Sequence, residues 1–159
     1  MTTDRAHLLA IDPGGAHVGI AWFHELDPPN AWPGWECYHT TELTPAGLGN
    51  LLETIHQDPP DILVYEEFRL YPDKALALTG SHIETAECIG VIKHCAAKAG
   101  IEPTAQPAAY QQTALGLLQA RGMRSTAKRT KSGPHALSAE LHGWAYLWRN
   151  QLVPDEPPF

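Results

Sequence analysis

Apolar positions along this chain fall into blocks of different period, and those periods assign the elements. Residues 6–12 are apolar at nearly every step (Leu8, Leu9, Ala10, Ile11), which predicts a central strand buried on both faces. Pro13-Gly14-Gly15 interrupts the run, and residues 17–23 resume it as a second strand folded back in a hairpin. Beyond the proline-rich punctuation at 27–34, residues 35–43 alternate aromatic and polar side chains as a third, peripheral strand. Thr44-Pro45 supplies a helix cap and a first-turn proline, and Leu48, Leu51, Leu52 and Ile55 recur at helical spacing until Asp58-Pro59-Pro60 stops them. Asp61 to Phe68, DILVYEEF, is another apolar strand, and it ends in acid. A capping-box spacing from Ser81 to Glu84 opens a helix whose apolar face (Cys88, Val91, Ile92, Cys95) runs to Gly100. A short strand over 101–106, a helix over 107–121 and a last helix over 135–149, with Leu137, Leu141, Trp144 and Trp148 on one side, complete the pattern. This order predicts an α/β fold: antiparallel strands first, then parallel strands joined by helical crossovers.

The length of 159 residues and 43% hydrophobic content suit one domain over 1–159, with the acidic, proline-rich stretch 152–159 read as a loose tail. The N-terminal apolar run is too short for a signal peptide or a spanning helix, and the three cysteines do not make a disulfide framework, so the expected setting is cytoplasmic, with no membrane partner. A net charge of −7 argues against nucleic acid, because phosphate binding needs cations. The average conceals a cluster, however. Arg121, Arg124, Lys128, Arg129 and Lys131 place five of the eleven Lys and Arg residues within eleven positions, in a Gly/Ser/Thr-rich segment, 121–134, without apolar periodicity and read as flexible. By composition it is either a solvated surface loop or a phosphate-binding one.

The candidate chemistry begins with Asp12, an acid delivered by a buried strand into a glycine turn. Such a carboxylate is costly unless something neutralises it. Glu66 and Glu67 end a second apolar strand; adjacent strand residues face opposite ways, so one of them can join Asp12, and Glu66 is the choice, leaving Glu67 exposed or supporting. A carboxylate pair from neighbouring strand ends suits Mg²⁺ or Mn²⁺, and two such ions could activate water for phosphodiester hydrolysis. On the last helix His135, Ser138 and His142 share a stripe, whereas Glu140 falls roughly opposite Ser138. His135 begins that helix and is open to capping, packing or ligation of a metal. Trp32 and Trp35 read as loop packing, and Trp144 and Trp148 as core or dimer interface.

The opening L-A-I-D-P-G-x-x-x-V-G-I-A, the V-Y-E-E-F-R-L-Y strand end, the helix around Glu84 to Lys93 leading to a Q-P segment, and the terminal H-A-L-S-A-E-L-H helix together resemble a RuvC-type Holliday junction resolvase, particularly the shorter phage-like members, over residues 6 to 149. The resemblance implies an RNase H-like mixed sheet flanked by helices, a homodimer, and metal-dependent nicking of branched DNA that leaves a 5′-phosphate, with no small-molecule cofactor. It assigns Asp12, Glu66 and His135 as metal ligands of two Mg²⁺ or Mn²⁺ ions, and puts Ser138 where the family carries a further acid. Glu67, Glu140 and His142 are then candidate supporting groups. The basic residues between Arg121 and Lys131 become the expected DNA contacts, in a stretch where such enzymes bring lysines to the phosphate and this chain has none between Lys98 and Lys128. Two other readings share parts of the pattern: a YqgF-like nuclease acting on RNA, and a branched-DNA binding protein with weakened catalysis.

Overall fold

The computed structural model describes residues 5–27, 32–68 and 80–154, with the side chains of 80–83 excepted. Five strands form one sheet: β1 (His7–Asp12), β2 (Val18–Glu25), β3 (Trp35–Leu43), β4 (Ile62–Glu66) and β5 (Thr104–Gln106). Their order across the sheet is β3-β2-β1-β4-β5, antiparallel from β3 to β1 and parallel from β1 to β5. The helices are α1 (Pro45–Thr54), α2 (Gly80–Lys98), α3 (Tyr110–Ala120), α4 (Thr126–Thr130) and α5 (Pro134–Arg149).

The continuous apolar run of β1 makes it the middle strand, with Leu8 through Ile11 fully buried. Its side chains alternate between two cores. Leu8, Ala10, Phe23 and Val64 face α3 and α5, where Ala139, Leu141 and Trp144 meet them; Phe23 and Trp144 pack edge to face at 5.2 Å. Leu9, Ile11, Ile20 and Leu63 face α1 and α2 through Leu48, Leu52, Cys88 and Ile92. Continuing the same alternation, Asp12 and Glu66 follow Ala10 and Val64 onto the α5 face. They sit one step past the Ile11–Tyr65 pair, at neighbouring carboxyl ends of parallel strands.

Several details depart from the sequence reading. The basic segment, expected to be a flexible loop, contains α4, and Ser125, Thr126 and Ala127 are buried. Ser125 caps this helix by accepting from Lys128 N at 3.2 Å, an arrangement that hydrophobic periodicity does not signal in five residues. In the tail expected to be loose from 152, Val153 is buried in the α3/α5 core and Leu152 N donates to Leu147 O; 155–159 lie outside the described residues. Ser81 is already helical in α2, and its proposed capping side chain lies outside the described set. Trp35 is in the core, as is Trp144, on which Trp148 stacks at 5.4 Å.

Candidate active site

The site forms where α5 begins over the ends of β1 and β4. One row of the sheet runs Asp12–Gly19–Glu42 across β1, β2 and β3. At Gly19 an added Cβ would lie 1.8 Å from the carbonyl oxygen of His135, so the glycine lets the α5 backbone rest directly on the sheet. Glu42 occupies the flank of that contact. The N-cap of α5 is Gly133, which has no side chain to cap with, and Glu42 Oε1 instead accepts from His135 N at 2.8 Å. Gly133 is required twice over: its φ of 112° is unfavourable for other residues, and a Cβ would meet the Glu42 carboxylate at 2.2 Å. Glu42 is thus a site residue that the sequence reading missed.

Seated in this way, His135 places Nδ1 at 3.0 Å from Asp12 Oδ2. Its side chain is 39% exposed, against 13% for Asp12, so the ring stays open to solvent. Two turns along, His142 is fully buried and its Nε2 lies 2.9 Å from Glu66 Oε2. Gln111 of α3 donates Nε2 to the same oxygen, and the Ser138 hydroxyl reaches it at 3.4 Å. The structure therefore brings together Asp12, Glu66, His135, Ser138 and His142 on one face of α5, and adds Gln111.

The two acids are electrostatically unlike. Burial pushes the Asp12 carboxyl above its ordinary range, and the charge of Glu66 pushes it further, against hydrogen bonding from His135 and Ser138. Glu66 is also penalised by burial, yet hydrogen bonds and charge from His142, with Gln111 and Ser138, outweigh that and hold it below its ordinary range.

Glu140, carried as a candidate supporting group, does not belong here. It is 1% exposed on the opposite side of α5 and accepts from Ser125 Oγ (2.7 Å), Thr126 N (2.8 Å), Ala127 N (2.8 Å) and Trp144 Nε1 (3.4 Å). Its partners are the first turn of α4 and the core tryptophan, so it anchors the basic segment. Glu67 is half-buried just past β4, its backbone N donating to Gln106 O.

The basic residues divide. Arg124, Lys128, Arg129 and Lys131 are exposed on and around α4, which leads directly into the start of α5. Arg121 lies over the ring of Trp148 at 5.5 Å, thirteen residues beyond His135 along α5 and hence about 20 Å from it. It is separated from the site by the length of the helix.

The fit to a metal can be judged from this donor set. Asp12 and Glu66 are two hard oxygen donors whose mutual repulsion a divalent cation would relieve, so they fit one such ion. Among the described residues no three His, Cys, Asp or Glu side chains form a complete ligand group. His135, expected as third ligand, is placed as a hydrogen-bond partner of Asp12. Also among the described residues, no helix is long and apolar enough to cross a membrane.

By sequence, neither a family model nor a curated protein matches the chain. Solved structures do. RuvC of T. thermophilus in complex with a Holliday junction substrate superposes with a TM-score of 0.61 at 16% identity, covering 93% of this chain and 98% of that one. A second Thermus thermophilus RuvC structure gives 0.63 at 15%, covering 92% and 98%. The Fowlpox virus resolvase in complex with Holliday junction DNA gives 0.54 at 9%, again covering 92% and 98%. The chain has the RNase H-like fold that these proteins share.

Proposed function

We propose that this protein is a metal-dependent endonuclease that nicks Holliday junctions or related branched DNA, in the manner of the resolvases whose fold it has. The observation that carries the reading is the pairing of Asp12 with Glu66 at neighbouring strand ends beneath an α5 whose first turn presents an exposed histidine. Strand ends of this kind are where ligand chemistry gathers in sheets with parallel strands. Asp12 and Glu66 would hold a Mg²⁺ or Mn²⁺ ion; His135 would have to exchange its hydrogen bond with Asp12 to join them. A bound divalent cation supplies the acidity that activates water and the positive charge that offsets the developing negative charge on the phosphodiester. The chain's own contribution is to fix the two carboxylates and to bring DNA to them. Arg124, Lys128, Arg129 and Lys131 are exposed cations on a segment pinned immediately before His135, and in this reading they would hold phosphates next to the scissile one. A four-way junction offers two equivalent strands, so paired incision calls for two copies of the chain related by a two-fold axis.

The test is a labelled four-way junction incubated with Mg²⁺ or Mn²⁺ and wild type, Asp12→Asn or Glu66→Gln. Wild type is expected to nick the junction, and each variant to lose about a thousandfold in rate, the equivalent of about 4 kcal/mol of charge stabilisation. Cleavage that survives both substitutions would sink the site. One feature favours a binding protein instead: Ser138 presents a neutral hydroxyl to Glu66. Junction binding without cleavage, together with cleavage gained in Ser138→Asp, would establish that reading.

A further inference from the structure

All three side-chain donors at Glu66 converge on a single oxygen. Gln111 Nε2, His142 Nε2 at 2.9 Å and Ser138 Oγ at 3.4 Å each meet Oε2, while among the described residues nothing is hydrogen-bonded to Oε1. The donors come from two helices, α3 and α5, and so fix the carboxylate from two directions. His142 is fully buried, and its backbone carbonyl accepts from Gln106 Nε2 at 3.3 Å, which ties that turn of α5 to β5. Gln111 Nε2 and His142 Nε2 lie 3.3 Å apart. With a carboxylate oxygen as their common target, both serve as donors to it rather than to each other. His142 Nδ1 has no partner among the described residues, so nothing competes for the ring proton that Nε2 needs.

We propose that Gln111 and His142 are positioning residues that clamp Glu66 by Oε2, supported by Ser138, so that Oε1 is the oxygen presented to the cation. The inference rests on the metal-dependent reading of the site. It gives Glu66 one-oxygen ligation and fixes His142 as the Nε2–H tautomer. Outer groups of this kind orient a ligand without touching the ion, and losing one typically weakens metal binding by about ten- to a hundredfold. It also gives Ser138 work as a donor that a carboxylate could not perform.

The experiment uses the whole chain and Mn²⁺ alone as the calorimetric probe, with melting temperature and the ¹⁵N imidazole spectrum as companions. Gln111→Met removes one donor at nearly constant volume; its Mn²⁺ affinity is expected to fall about tenfold while the melting temperature holds. His142→Gln can place an amide N–H where Nε2–H stands and is expected to bind close to wild type. His142→Leu is expected to bind about tenfold more weakly. Should the leucine variant fail to fold, Gln111→Met and the spectrum still decide, since the clamp requires the His142 proton on Nε2. Wild-type affinity in Gln111→Met, or the proton on Nδ1, overturns the clamp, as does a wild-type chain that binds no Mn²⁺. The expected pattern of affinities without junction cleavage would defeat the nuclease reading and leave the clamp standing. Junction cleavage with undiminished affinity in Gln111→Met would do the reverse.

Discussion

Helix α5 separates two carboxylate settings built on opposite plans. On one side Glu140 is wholly enclosed and takes four donors over both of its oxygens, so its charge is spent on holding the first turn of α4. On the other, Asp12 and Glu66 lie side by side, their donors leave Glu66 Oε1 unengaged among the described residues, and Asp12 is raised by burial and by its neighbour's charge. Burial alone would single out Glu140, the most enclosed of the three. What separates the structural acid from the candidate site pair is saturation: a filled carboxylate has no capacity left for an ion, and a crowded pair has a reason to attract one.

The contrast can be strained first at Glu140, where the largest effect on stability is expected. Glu140→Gln leaves backbone donors of α4 facing an amide, and urea unfolding should show a loss of about 3 kcal/mol. Mn²⁺ affinity should be unchanged, and a variant that stayed stable but lost the ion would move Glu140 into the site. A smaller effect is expected at the pinned segment, which under the proposed function would meet DNA. In Lys128→Glu/Arg129→Glu, junction affinity measured by titration should fall at least about tenfold, with a shallower salt dependence and unchanged unfolding, because both side chains are exposed. Unaltered affinity would detach the basic segment from the function.

The smallest effect divides the acid pair itself. In the metal-free protein at pH 7, Asp12→Asn should melt above wild type and Glu66→Gln below it. A raised carboxyl contributes stability below its unfolded value, 3.8 for Asp12, and loses it as pH climbs through the folded one. A lowered carboxyl, as at Glu66, contributes above its unfolded value of 4.5 and loses this as pH falls through the folded one. Both gaps should therefore close on acidification, and melting curves across pH 3 to 7 would expose a shared sign if the two environments were alike.

Much of this was legible in the chain because the signals were local. The double-sided apolar run of β1 that delivers Asp12, the acid ending β4 and the His135/Ser138/His142 stripe are each contained in a short stretch of sequence, and they place five of the candidate site's side chains. Glu42 escaped because its meaning lies in register: only pairing with Gly19 puts it beside the start of α5. Gln111 escaped because a neutral amide on an amphipathic helix carries no charge signal, and α4 because its stability is supplied by Glu140 from another helix. The grouping of Arg121 with the other cations was a sequence proximity that the turn after α3 dissolves.

Gly19 sets a clearance. With the His135 carbonyl standing where a methyl group would be, even alanine must lift the first turn of α5 away from the sheet, carrying the imidazole off Asp12 while both strand-end acids keep their places in the backbone. If the proposed function holds, such an allele would score in a genetic screen with losses at Asp12 itself, although it removes no charge. A glycine that looks like a spacer would then map as part of the candidate site.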